Sequence, residues 1–193
     1  MQGFFVTGTD TGVGKTVVSA ALAMHTGYGY WKPIQTGPES DTAEVQRLAA
    51  CEVINHGVRL PDPVSPHLAA ERAGVRIELS KILSQAPTEG AWIVEGAGGV
   101  LVPLNDREKM IDLMALLVLP VVVVARGTLG TINHTLLTLA ALRSRGLAVD
   151  RVVVVGPLNP DNNEAIHKFG NVPVSAMPWF DPLTPEKLKG WTP

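Results

Sequence analysis

The run Gly8-Thr9-Asp10-Thr11-Gly12-Val13-Gly14-Lys15-Thr16 constrains this chain more than any other feature. It directly follows the apolar stretch Phe4–Thr7 and opens a Val-, Ala- and Leu-rich stretch of helical spacing, Lys15–His25. Glycines in such a turn let successive backbone N–H groups face one concavity, and the helix start adds its partial positive charge. The context predicts a phosphate-binding loop with Gly12, Val13, Gly14, Lys15, Thr16 and Val17 around the phosphates, Lys15 reaching the outer ones and the Thr16 hydroxyl placed for Mg²⁺. The spacing departs from the usual glycine, four residues, Gly-Lys-Ser/Thr: counting back from Gly14 puts Thr9 at the first position, with Gly8 one residue earlier.

Five more continuous apolar runs, Tyr28–Lys32, Ala91–Glu95, Pro120–Ala125, Arg151–Val155 and Val172–Met177, lack polar alternation, as strands buried on both faces do. Between them, Asp41–Cys51, Leu79–Gln85, Met110–Leu117, Ile132–Arg145, Asp161–Phe169 and a short tail from Pro185 have helical spacing. Strands alternating with helices predict an α/β fold: a doubly wound, mainly parallel β-sheet flanked by helices, of the P-loop NTPase-like kind. At 193 residues with no linker or repeat, 1–193 reads as a single domain. The proline-rich segment Arg59–Ala73 (Pro61, Pro63, Pro66) reads as an irregular excursion over the sheet edge.

Composition removes several function classes. Hydrophobic residues make up 46% and charged residues 18%, which excludes disorder as the main state, and a net charge of −2 gives no general field to hold nucleic acid or an anionic membrane. The greasiest stretch, Leu113–Ala125, is broken by Pro120 and falls short of the roughly 18 to 20 residues a membrane span needs. A lone Cys51 and an amino terminus without a basic region fit a cytoplasmic protein. The five histidines share no ligand spacing, so no zinc site is expected.

Two more strand ends carry chemistry. In Trp92–Gly99, an apolar strand ends in Glu95 and breaks into Gly96, Ala97, Gly98 and Gly99, which places a carboxylate at the sheet rim beside residues that allow close ligand approach. In Trp31–Gly37, Lys32 follows Tyr30 and Trp31 at another strand end, ahead of Ser40-Asp41 at a helix start. Asp41 reads either as a metal ligand or as an ordinary first-turn residue beside the Ser40 cap. In open α/β sheets this carboxyl rim is where ligands bind. Two lysines, a hydroxyl and two carboxylates for a metal are equipment for phosphoryl transfer from a nucleoside triphosphate; they do not name the acceptor.

Taken in order, residues 8–16, Lys-Pro-Ile-Gln-Thr-Gly (32–37), Ser-Asp (40–41), Ser-Pro-His (65–67), Val-Glu-Gly-Ala-Gly-Gly (94–99), Leu-Gly-Thr-Ile-Asn-His (129–134) and Pro-Trp (178–179) resemble the dethiobiotin synthetase family of the biotin pathway, from Phe5 to about Trp179. The resemblance implies a homodimeric, ATP- and Mg²⁺-dependent cyclo-ligase that turns 7,8-diaminopelargonic acid and CO₂ into dethiobiotin, ADP and phosphate. One amine is carbamated, the carbamate oxygen attacks the γ-phosphate, and the second amine closes the ring. It further implies that Lys15 and Lys32 are catalytic, Lys15 on the γ-phosphate and Lys32 on the carbamate and its phosphorylated form. Thr16, Asp41 and Glu95 would ligate Mg²⁺, and Asp41, Glu95, Gly96, Ala97 and Gly98 would line the nucleotide. Thr11 and Thr36 would touch the substrate, and Gly130, Thr131, Ile132 and Asn133 would hold its carboxylate across the dimer.

The chain departs from that family after Arg151–Val155, where an Asn often reads the adenine edge and Gly156-Pro157 stands instead. Gly156 and Pro157 would still line the nucleotide, base packing falls to Pro178, Trp179 and Phe180, and other triphosphates are expected to serve beside ATP. Two rival readings share the loop. A ParA/MinD-like ATPase switch usually carries a further lysine where Thr9 and Asp10 stand, and a small GTPase needs an Asn-Lys-x-Asp string that is absent. A non-catalytic nucleotide-binding module would not need Lys32 and Thr36 beside the phosphates.

Overall fold

Val121 to Ala125 make up most of strand β7 (Val121–Arg126), and all are fully buried. Val121, Val123 and Ala125 pack into the core on one face of the sheet, Val122 and Val124 into the core on the other. Because both faces are covered, the strand shows no polar alternation.

The computed structural model describes residues 1–192. The main sheet runs β4 (Val53–Ile54), β2 (Gly29–Trp31), β6 (Ala91–Gly99), β1 (Gln2–Gly8), β7, β8 (Val149–Val155), β9 (Val174–Met177), with every neighbouring pair parallel. Helices α1 (Lys15–Thr26), α2 (Asp41–Ala49) and α8 (Pro185–Lys189) close one face through Val18, Leu22, Val45, Leu48 and Leu188. On the other face lie α3 (Pro66–Arg72), α4 (Leu79–Ser84), α5 (Met110–Leu117), α6 (Thr131–Ser144) and α7 (Pro160–Gly170), with Ala69, Ile82, Leu113, Leu139, Leu142 and Ile166 in the core. The chain leaves β1 towards β2 on one side and later arrives at β7 on the other, so β1 marks the reversal of strand order. The crevice beyond its carboxyl end is where a doubly wound sheet binds ligands.

The expected doubly wound fold is therefore present, with three local corrections. The segment Arg59–Ala73 is not irregular throughout: β5 (Val58–Leu60) pairs in parallel with β3 (Ile34–Thr36) as a small second sheet, and α3 follows with Pro66 in its first turn. Proline there costs nothing, because the first-turn N–H lacks an intrahelical partner in any case. Strand β6 does not stop at Glu95 but continues to Gly99, which pairs with Gly8. Strand β2 ends at Trp31, which leaves Lys32 just beyond it. Among the described residues no helix is long and apolar enough to cross a membrane.

The short β2 depends on a glycine. Gly29 pairs with Trp92, and a β-carbon at Gly29 would enter the space of the Trp92 ring. Gly29→Ala is expected to destabilise the fold by about 1–3 kcal/mol through overpacking. A lower urea midpoint at unchanged slope would report this, and an unchanged midpoint would contradict it.

Candidate active site

The loop between β1 and α1 is shaped by close backbone packing. Gly14, with φ +98°, caps α1 without a side-chain hydrogen bond, so no side chain occupies the first-turn N–H groups. A β-carbon on Gly8 would lie 2.7 Å from the Asp10 carbonyl oxygen and 3.2 Å from Lys15 Nζ, which explains a glycine at 8. Thr9, one place later, only donates its backbone N–H to the Val124 carbonyl at 2.9 Å, so a side chain is tolerated there. Lys15 Nζ donates back to the Asp10 carbonyl at 3.1 Å. The Asp10 carboxylate accepts the Thr11 N–H at 2.7 Å and the Arg126 guanidinium at 2.8 Å, and the same Arg126 nitrogen reaches the Thr11 carbonyl at 3.3 Å. Arg126, at the carboxyl end of β7, thus clasps the loop from outside.

Beside the loop, residues from α1, β2 and the turn after β2 converge on Glu95, which is fully buried on β6. Its Oε1 accepts from Lys32 Nζ at 2.8 Å and from the Thr16 hydroxyl at 3.2 Å; its Oε2 accepts from the Tyr30 hydroxyl at 3.0 Å. Lys32 Nζ also lies 2.6 Å from Asp41 Oδ2 and donates to the Gly96 carbonyl at 3.2 Å. The Thr16 hydroxyl lies 3.0 Å from Asp41 Oδ1. Asp41 opens α2 beside the Ser40 cap, as the sequence suggests, yet its carboxylate belongs to the cluster as well. Lys15, Thr16, Lys32, Asp41 and Glu95 are thus brought to one rim.

Burial and charge set the protonation of these groups. Burial alone would lower the Lys32 pKa, but the carboxylates of Glu95 and Asp41 outweigh it and hold the ammonium above the ordinary lysine range. Lys15 has no such close partner: burial pushes its pKa below that range, Glu95 offsets part of the effect, and Lys32 adds to it. Asp41 is raised by burial but lowered further by Lys32, with Thr16 contributing, so it stays below the ordinary aspartate range. Tyr30 is pushed well above the ordinary phenol range by burial and by Glu95, and so remains a donor.

Thr16, Asp41 and Glu95 offer a hydroxyl and two carboxylates, each carboxylate within hydrogen-bond distance of the hydroxyl, and hard oxygen donors are the set Mg²⁺ prefers. Among the described residues no group of three or more His, Cys, Asp or Glu side chains could hold a metal. This small protein share suits Mg²⁺, which commonly takes one or two carboxylates and completes its shell with phosphate oxygens and water.

The remaining predicted residues fall into three neighbourhoods. Gly12 and Thr11 are exposed on the loop, Val13 is buried beneath it, and Val17 packs against the core. Gly96, Ala97 and Gly98 continue β6 towards the loop, and a β-carbon on Gly98 would come 3.8 Å from the Thr11 hydroxyl. Thr36 ends β3; its carbonyl accepts from Gln35 Nε2, and Gln35 Oε1 accepts the Asp41 N–H, which ties Thr36 to the start of α2. At the far end of the sheet, Gly156 donates its N–H to the Met177 carbonyl at 3.0 Å, which joins Gly156-Pro157 to Pro178–Phe180; Trp179 is 70% exposed, whereas Phe180 is half-buried against the core. Gly130 to Asn133 open α6, where Thr131 is buried with an unpartnered hydroxyl, Ile132 is half-buried and Asn133 is exposed. They do not join the Glu95 cluster within this chain. Instead α6 walls a cavity of about 560 Å³ with Thr9–Thr11 and Gly99–Pro103, and His134 and Leu137 on its lining.

Two residues of the site escape sequence reasoning. Tyr30 precedes Lys32 by two residues, the spacing of one strand face and a signal present in the sequence; Arg126 is the last residue of β7, and only the fold brings it to Asp10.

A family profile described as AAA domain matches residues 2–187. The chain is 54% identical over 179 residues to an ATP-dependent dethiobiotin synthetase from Paramagnetospirillum magneticum, covering 91% of this chain and 87% of that protein. Proteins of the same description are 46% identical over 189 residues in Brucella ovis (95% and 89% covered) and 45% identical over 196 residues in Sphingopyxis alaskensis (97% and 93% covered). Among solved structures, the septum site-determining protein MinD of Pyrococcus horikoshii, complexed with Mg-ADP, superposes with a TM-score of 0.60 at 15% identity (97% and 85% covered). A ParA family ATPase from Chlorobium tepidum does so with a TM-score of 0.59 at 12% identity (97% and 87% covered). At those identities the two structures share the fold with this chain.

Proposed function

The chain belongs to the ATP-dependent dethiobiotin synthetase family, and from that premise we infer that its Glu95 cluster and loop close a ureido ring from 7,8-diaminopelargonic acid and CO₂ at the expense of ATP. The observation that carries the reading is Lys32: a buried ammonium at hydrogen-bond distance from Asp41 and Glu95, beside the loop that would hold the triphosphate. An ammonium kept charged at this rim is suited to the oxygens of a carbamate and of its phosphorylated form, whose negative charge grows during transfer.

The remaining roles are those the family membership implies. The loop N–H groups and Lys15 bind the phosphates, with Lys15 turning from the Asp10 carbonyl to the outermost one. Thr16, Asp41 and Glu95 would hold Mg²⁺, which when bound neutralises phosphate charge. Thr11 and Thr36 would orient the diamine, as the family resemblance implies. The substrate's carboxylate would reach the α6 start, formed by Gly130, Thr131, Ile132 and Asn133 of the partner subunit in a homodimer; the Thr131 N–H already meets the Thr128 carbonyl, and the unpartnered Thr131 hydroxyl and the other first-turn N–H groups suit a carboxylate. Incubation with diaminopelargonic acid, Mg²⁺-ATP and ¹³C-bicarbonate is expected to give labelled dethiobiotin by mass spectrometry. ATP consumed without labelled product would keep the phosphate site and reject the acceptor.

Base selection is expected to be weak. Gly156 has no side-chain amide to read a base edge, and its N–H is engaged by the Met177 carbonyl, so base binding is assigned to packing against Pro178, Trp179 and Phe180. A packing site discriminates far less than one built to read hydrogen bonds, so kcat/KM for ATP should exceed that for CTP or GTP by less than about 100-fold. Steady-state rates with each triphosphate decide this, and a preference beyond about 10,000-fold would remove the idea.

A further inference from the structure

Glu95 has two oxygens, and the protein divides them. Oε1 meets Lys32 and Thr16 at the rim, while Oε2 points back into the core and meets a single donor, the Tyr30 hydroxyl at 3.0 Å. The sheet register produces this pairing. Tyr30 stands opposite Ile93 in the β2–β6 pair and faces the α1 and α2 side with it, and Glu95 lies two residues further along the same face. The phenol therefore reaches along the sheet towards the carboxyl end, and both residues are fully buried. The last torsion of a glutamate is broad and roughly two-fold, so burial alone does not fix how its carboxylate is turned. A donor fixed on Oε2 does.

We propose that Tyr30 is a positioning residue of the ligase reaction: its hydroxyl holds Glu95 in the orientation that presents Oε1 to Thr16 and Lys32 together. The inference rests on the reading of Thr16, Asp41 and Glu95 as the Mg²⁺ ligands. Tyr30 is too deeply buried to touch nucleotide or diamine, so its effect passes through Glu95. In the Phe variant the ring still fills its place in the core, but Oε2 faces the interior without a donor, and the carboxylate gains freedom to turn away from Thr16 and Lys32.

The test compares wild type with Tyr30→Phe, using Mn²⁺ as a paramagnetic probe in the presence of a non-hydrolysable ATP analogue, together with steady-state kinetics. Partners behind a metal ligand commonly contribute roughly 10- to 100-fold to metal affinity or activity. The Mn²⁺ dissociation constant should therefore rise roughly tenfold and kcat should fall by a similar factor, while KM for ATP changes little. In a Glu95→Gln background, Tyr30→Phe should add almost nothing, because the residue acts through Glu95. Ile93→Val, a packing change on the same face, should leave Mn²⁺ binding unchanged.

A second measurement needs no variant. The chain has only two tyrosines, Tyr28 and Tyr30. With ¹³Cζ-labelled tyrosine, the Tyr30 resonance should shift when Mg²⁺ joins the bound analogue, and Tyr28 should not. A Tyr30→Phe protein with wild-type Mn²⁺ affinity and turnover, or a Tyr30 resonance indifferent to Mg²⁺, overturns the proposal. Both metal readouts are independent of product, so a failure of the ring-closure reading appears separately, as ATP turnover without dethiobiotin.

Discussion

Lys32→Ala is expected to lower ring-closure turnover by about 100- to 1,000-fold while leaving the dissociation constant for Mg²⁺-ATP within a few-fold of wild type. The split follows from where the charge sits. Nζ lies 2.6 Å from Asp41 and 2.8 Å from Glu95, buried and above the ordinary lysine pKa range, so the group is fully charged wherever an enzyme of this kind works. A fixed charge helps most when the oxygens it faces become more negative on the way to the transition state, and such an interaction registers in kcat more than in ground-state binding. The same substitution leaves Glu95 buried with two donors instead of three. A stability loss near 3 kcal/mol is expected, at the low end for a broken buried pair because Asp41 is one-quarter exposed. Calorimetric titration of the nucleotide, single-turnover product formation and thermal melting separate these effects. Equal losses of affinity and turnover would reduce Lys32 to a binding group.

Lys15→Met should behave in the opposite way. Methionine keeps much of the apolar stem and loses the charge, so Mg²⁺-ATP binding is expected to weaken by about 10- to 100-fold, the share of one hydrogen bond to a charged group. The empty protein should melt at a higher temperature. The sign follows from linkage: the folded pKa of Lys15 is depressed, so the folded protein binds that proton less well than the unfolded chain, and below the folded pKa the charged lysine costs stability that the neutral side chain does not. Differential scanning fluorimetry at neutral pH, with and without nucleotide, reads both effects. A lower melting temperature in the empty state would mean that the hydrogen bond to the Asp10 carbonyl outweighs the burial cost.

The readable parts of the molecule are those whose cause is local. The loop announces itself because its glycines, its lysine and the helix it opens are contiguous, and β7 because five consecutive apolar residues fit only a strand covered on both faces. Strands β3, β4 and β5 have two or three residues each, too few for any periodicity to emerge. Helix α3 is masked by the same prolines that suggest a loop, although Pro66 is well placed at its start. The strand end assigned at Glu95 misses because Gly96–Gly99 read as a break, whereas the missing side chain of Gly99 is what lets the end of β6 lie close against Gly8 and Thr9. Tyr30 and Arg126 take their meaning from partners 65 and 116 positions away, and no window of sequence contains both members of either pair.

The Arg126 clasp has a bearing on the entropy of ligand capture. A glycine-rich segment left to itself samples many backbone conformations, and a ligand that organises it must overcome that freedom at the moment of binding. Here the segment is fastened at Asp10 and Thr11 by a side chain from a neighbouring strand, at Thr9 by Val124, and from within by Lys15. A triphosphate reaching this turn therefore meets a backbone already held at Thr9, Asp10 and Thr11, and the rearrangement left to it is the release of Lys15 from the Asp10 carbonyl.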